Sequence, residues 1–138
     1  MRIMQVALAV MVATALIVLT GCGQSNRASL TGKVTLDGKP LDTGTVGFLP
    51  VTQGPAGYAT IQAGGGYTAQ TGTIKGLAPG DYLVTVQAMG PMPPPTPQDP
   101  EPLPASLLPA KYSAKETSGL RCTVPPGGTT YDIELKSQ

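Results

Sequence analysis

Two cysteines, no histidine and a few scattered carboxylates bound the chemistry open to this 138-residue chain. Without imidazole there is no Ser-His-Asp or Cys-His nucleophile system, and most zinc sites lose their usual ligand. An enzyme here would have to work with carboxylates, lysine or tyrosine. Asp37, Asp42 and Asp81 each stand alone in turn sequences, without the clustered spacing that a calcium shell needs. Cys122 lies in Leu120-Arg121-Cys122-Thr123-Val124, where apolar residues alternate. That pattern predicts a small buried hydrophobe on the inner face of a strand, with a reactive or intermolecular thiol as the alternative. No catalytic, cofactor-binding or metal-ligating residue is assigned. The thiol with a chemical role is the other one.

Cys22 ends Leu19-Thr20-Gly21-Cys22, where an aliphatic and two small residues precede the thiol. The motif resembles the bacterial lipobox, whose small residues let a peptidase approach the backbone. Upstream, Arg2 precedes an apolar run from Ile3 to Leu19 without a charge, the order of a secretory signal. The resemblance implies that Cys22 is alkylated with diacylglycerol and becomes the N-terminus on cleavage, carrying acyl chains of the palmitate class. Two or more such chains anchor stably, whereas one binds marginally. Residues 1–21 are therefore expected to be a signal peptide with a signal helix, 22–28 a tether, and 29–138 one domain.

Removing the signal leaves about 117 residues, enough for one domain. The formal charge of +1 falls to balance once Arg2 leaves, so no basic face suggests a nucleic-acid partner. With Cys22 acylated, Cys122 has no partner for an intramolecular disulfide. Five tyrosines, one phenylalanine and no tryptophan leave the core to Val, Leu, Ile and Ala.

The elements that must position these residues follow a period of two. Strands are predicted at Leu30–Leu36, Thr45–Leu49, Gly57–Ala63, Gly66–Ala69, Tyr82–Ala88, Ser118–Val124 and Tyr131–Leu135, separated by Gly/Pro turns. Tyr82, Val84, Val86 and Ala88 should face inward, and Tyr131, Ile133 and Leu135 should share one face. About seven strands and no amphipathic helix predict an all-β Greek-key sandwich. Residues 90–109 break the rhythm with nine prolines. They cannot form an interior strand, and predict an exposed, stiff polyproline-like excursion without internal hydrogen bonds. It is either a variable inserted loop or a recognition loop for a partner's aromatic groove. Beyond it, Leu108 and Tyr112 should pack back onto the body.

Taken in order, Gly32 to Leu41, Gly44 to Pro50, Gly65-Gly66-Tyr67, Gly76 to Tyr82, Pro109-Ala110-Lys111-Tyr112 and Thr117-Ser118-Gly119-Leu120 resemble small planctomycete-type lipoproteins with a carboxypeptidase-regulatory-like domain. The resemblance covers nearly the whole mature chain and implies a transthyretin-like (prealbumin-like) β-sandwich. Cys122 departs from it by replacing an aliphatic residue, and the proline segment is denser than usual. It implies little about activity, because fold does not fix function.

Three functions follow as expectations. The first is a non-catalytic binding or structural module, held on the cell envelope at the outer membrane or its periplasmic face, with an envelope protein or polymer as partner. The second is a carbohydrate-binding module using Tyr58, Tyr67 and Tyr112, of which Tyr67 and Tyr112 are expected to pack inward. The third, disfavoured, is a transthyretin-like hydrolase. Hydroxyisourate hydrolase in that group uses histidines and a Tyr-Arg-Gly-Ser-like C-terminus, and Tyr131 to Gln138 carries neither.

The Cys22 reading has a direct check. Intact-mass and lipid analysis of the membrane fraction should show an N-terminus at Cys22 carrying diacylglycerol. Cys22→Ser should leave the signal attached. An unmodified Cys22 in the wild-type chain would refute it.

Overall fold

Alternating apolar residues build a two-layer all-β architecture in the computed structural model, which describes residues 26–138. The expected signal helix, Cys22 and most of the tether lie outside the described residues. Eleven strand segments appear: β1 (Leu30–Leu36), β2 (Lys39–Pro40), β3 (Thr45–Pro50), β4 (Gly57–Thr60), β5 (Gly66–Thr68), β6 (Gln70–Thr71), β7 (Ile74–Lys75), β8 (Gly80–Gln87), β9 (Leu120–Val124), β10 (Thr129–Thr130) and β11 (Ile133–Leu135). The excess over seven has a simple origin. β5 and β6 are one strand interrupted at Ala69, β10 and β11 are one interrupted at Tyr131-Asp132, and β2 and β7 are two-residue edge pieces. No α-helix is present among the described residues, only a 3₁₀ turn at Ala110–Ser113.

One sheet runs β7-β6-β4-β3-β8-β9, antiparallel throughout. β3, β4 and β6 follow one another as hairpins, and β8 returns to lie on the far side of β3. That order is a Greek key. The other sheet is organised on β1, which pairs in parallel with β10 and β11 along one edge and antiparallel with β5 and β2 along the other. The register to the final strand is unbroken, with Leu30 opposite Thr129 and Leu36 opposite Leu135. The pairing lapses between them, where the Asp132 carboxylate accepts the Lys33 amide at 3.0 Å instead.

The core lies between the layers. Phe48, Leu30, Leu77, Ile133, Leu135, Val34, Val46, Val84, Val86 and Val124 are its largest fully buried side chains. Tyr82, Val84, Val86 and Ala88 are all buried, as the alternation predicts, and Leu108 and Tyr112 pack back from beyond the proline segment. Ala28 is also buried and pairs with Leu77, so ordered packing starts just ahead of residue 29. Tyr82 sits at the corner that begins β8, where its hydroxyl donates to the Ala78 carbonyl at 2.7 Å. Gly76 holds φ +94° ahead of that corner, a left-handed backbone that favours glycine.

Strand directions give the sandwich two distinct ends. β5 runs antiparallel to β1, and β4 leads into β5 through Ala63–Gly65. The amide of Val34 donates to the Gly65 carbonyl and that of Ile61 to Gly44, whose Cα also approaches Gln87 and Ala88. The C-terminal ends of β1 and β8 therefore meet at the same pole. The chain enters β1 from the opposite side.

Gly32 is the tightest point in the β1 sheet. A Cβ there would fall far inside van der Waals contact with the Tyr131 carbonyl and crowd the Tyr67 hydroxyl, which donates to that carbonyl. Backbone cannot yield as a side-chain tip can. Gly32→Ala should therefore cost about 3 kcal/mol, at the upper end for overpacking. Urea denaturation should show a lower midpoint, whereas Gly38→Ala, with open space around it, should lose only the cost of its positive φ.

Candidate functional site

Each carboxylate singled out in the sequence is used to fasten the fold. Asp37 accepts the Ser137 amide at 3.1 Å, and hydrogen bonding to Ser137 holds its carboxyl below the usual range. Asp42 accepts the Gly64 amide at 2.8 Å, tying a turn to the β4–β5 connection. Asp81 accepts the Thr123 hydroxyl at 2.7 Å across β8 and β9. The three do not converge, and among the described residues no group of His, Cys, Asp or Glu could hold a metal ion.

The tyrosines separate as expected. Tyr67 and Tyr112 are buried, Tyr67 with its ring 6.0 Å from Phe48 and Tyr112 with its oxygen accepting the Lys136 amide. Tyr58 alone of the three is exposed, at 40%, and its hydroxyl donates to the Gly72 carbonyl. A sugar platform would thus rest on one ring rather than three.

Cys122 is buried opposite Tyr82 on β9, the position that the alternation gives it. Burial pushes its thiol from 9.0 up to about 11. Ser118, in the approach to β9, donates to the Val84 carbonyl at 2.6 Å and is itself buried.

The proline segment projects from the sandwich with a geometry of its own. It leaves directly from the end of β8. At its base Met89 bridges Ser106, the Gly90 amide donates to Ala105 at 2.8 Å, and the Leu107 amide to Ala88 at 2.9 Å. At its tip Thr96 and Asp99 exchange backbone bonds at 2.9 and 3.1 Å, and the Asp99 amide also meets the Thr96 hydroxyl. This corrects the expectation of an excursion without internal hydrogen bonds. The segment is a hairpin closed at both ends, and only its arms follow the polyproline rule. The bonds escaped sequence reasoning because they fall on the few residues that keep an amide.

Between the arms lies an open groove of about 420 Å³, lined by Met92, Pro93, Pro95, Pro100, Glu101, Pro102 and Leu103. A second pocket, of about 290 Å³, sits below the base, where Leu108 to Ser113 fold back over Val86 and Ala88. Cys22, the one modification site assigned from sequence, cannot be placed against either, because it lies outside the described residues. No known protein family, curated protein or solved structure matches the chain.

The buried thiol makes two measurable statements. At pH 8 about one Cys122 in a thousand would be ionised, against roughly one in four for a free cysteine. Labelling by a thiol reagent should be at least about a hundredfold slower in the native protein than in urea. The folded pKa lies above the unfolded value, so this stabilisation is complete below about pH 9 and is lost as pH rises toward 11. Tyr67, also raised by burial, acts in the same direction. Denaturation midpoints should therefore fall across that alkaline window, less steeply in Cys122→Val.

Proposed function

We propose that the chain is a lipid-anchored module of the bacterial cell envelope. An acylated Cys22 holds the sandwich at the bilayer, and the domain binds or spaces a neighbouring envelope component without catalysis. The outer membrane or its periplasmic face is the location that a lipobox implies.

The observation that carries the reading is the polarity of the sandwich. β1 and β8 run toward the same pole, so the tether leads away from one end while the proline hairpin leaves from the other. An eight-residue strand such as β8 separates its two ends by roughly 26 Å. Asp37, Asp42 and Asp81 are engaged in structural bonds and the second thiol is buried, which favours a display role for the exposed hairpin. The resemblance to carboxypeptidase-regulatory-like lipoproteins favours the same reading, since it is a resemblance to an accessory domain.

The test uses lipidated protein in vesicles containing a headgroup-attached quencher. Because Cys122 is buried and Cys22 is consumed as a thioether, a cysteine introduced at Asn26 or Gln98 can be labelled selectively. A fluorophore at Asn26→Cys should be strongly quenched, and one at Gln98→Cys, at the hairpin tip, only weakly. Equal quenching at the two positions would sink the display geometry.

A further inference from the structure

The proline hairpin carries exposed apolar surface that the fold does not use. Of the seven large hydrophobic residues exposed among the described residues, four belong to it or its base: Met89, Met92, Leu103 and Leu107. Leu103 is 84% exposed and Met92 69%, and the two line opposite arms of the same groove. Residues of this kind on an ordered projection mark a contact surface.

The hairpin is stiff for local reasons. Proline fixes φ near −65°, and every residue that precedes a proline is pushed to extended backbone. Met92, Thr96, Asp99, Glu101 and Leu103 all precede one. With base and tip also bonded, little conformational entropy remains to be lost on docking.

Its chemistry is one-sided in three respects. Between Pro91 and Pro95 only Met92 keeps an amide hydrogen, so the arm offers carbonyl acceptors and almost no donors. From Gly90 to Pro109 there is no aromatic residue, so the hairpin presents ring edges and aliphatic chains without a π-face of its own. Its charged residues are Asp99 and Glu101, both acidic, with no lysine or arginine to balance them.

We propose that the hairpin 89–107 is a recognition element that docks into a partner protein's groove, lined by tryptophan or tyrosine and rimmed by lysine or arginine. The partner's rings stack on the prolines, its indole or phenol groups donate to the bare carbonyls, and its basic rim meets Asp99 and Glu101. The proposal depends on the display reading only for the direction in which the hairpin points. Two other occupants fit worse. An anionic bilayer is repelled by the two carboxylates and lies at the opposite pole. A second copy of this chain offers, among the described residues, one clearly exposed aromatic ring, Tyr58, too little to line a groove.

The chain contains no tryptophan, so indole fluorescence in a mixture reports only the probe. The full unlipidated chain is titrated against purified WW domains, chosen for a tryptophan-lined groove with lysine or arginine at its rim. A saturable shift in emission is expected with wild type. Met92→Ala/Leu103→Ala should weaken it at least tenfold, and Asp99→Asn/Glu101→Gln about threefold with a flatter salt dependence. These side chains are exposed, so the variants should retain wild-type urea midpoints. Absence of a saturable shift with every probe, or equal binding by all variants, would overturn the proposal. So would hairpin-dependent binding to phosphatidylglycerol vesicles or hairpin-dependent self-association in sedimentation. Because no lipid anchor is involved, failure here leaves the Cys22 reading to stand or fall on its own mass measurement.

Discussion

All the pairings of the smaller sheet pass through β1. Its backbone takes β5 and β2 on one side and the final strand on the other, so the first and last strands of the domain are held side by side. The approach at Gly32 makes that possible, because the Tyr131 carbonyl occupies the space where a side chain would begin. Tyr67, reaching across from β5, then donates its hydroxyl to that same carbonyl. Three strands distant in sequence thus meet at one point, and the two layers close over Phe48, Leu30 and Ile133 around it. A domain without a disulfide needs such closure, since its ends are not joined covalently and its core has little aromatic surface to bury.

The same closure consumes the polar groups that might otherwise have formed a site. Asp37 fastens the C-terminal residues, Asp42 a turn, Asp81 a strand pair, and Ser118 a buried carbonyl. Each bond satisfies a group that burial or a turn would have left open. Convergence of reactive groups needs several of them free at one place, and here they are spread along the strands they stabilise. Cys122 fits this distribution: its thiol faces the core opposite Tyr82 and is packed as an aliphatic residue would be.

Period-two alternation made the strands legible from sequence, and with them the inward face of β8 and the burial of Cys122. Alternation reports local environment, and those features are local. The interruption at Tyr131-Asp132 was not legible, because it is imposed by the neighbouring strand and by an aspartate that replaces a ladder bond. The hairpin's base and tip bonds were missed for a related reason. Proline content states what the arms cannot donate, but says nothing of how Gly90, Thr96, Asp99 and Leu107 use the amides they keep. Ala28 looked like tether by composition, yet the Leu77 corner folds over it. The polarity of the two ends was beyond sequence altogether, since it requires knowing which strands run parallel.

That polarity gives the β1 pairing a mechanical consequence. A load applied between the hairpin and the chain entering β1 would pass into the domain through β8 and be resisted at the start of β1, in the other sheet. Force must therefore cross between the layers through the Leu77–Tyr82 corner and the shared core rather than along a single strand. The interrupted strand formed by β5 and β6 provides a second route, because it pairs with β1 at one end and with β4 at the other. Inter-strand hydrogen bonds loaded in shear along several strands yield together, whereas a single edge pair would open one bond at a time. A sandwich built on a doubly paired first strand suits a module that is held at one end and contacted at the other.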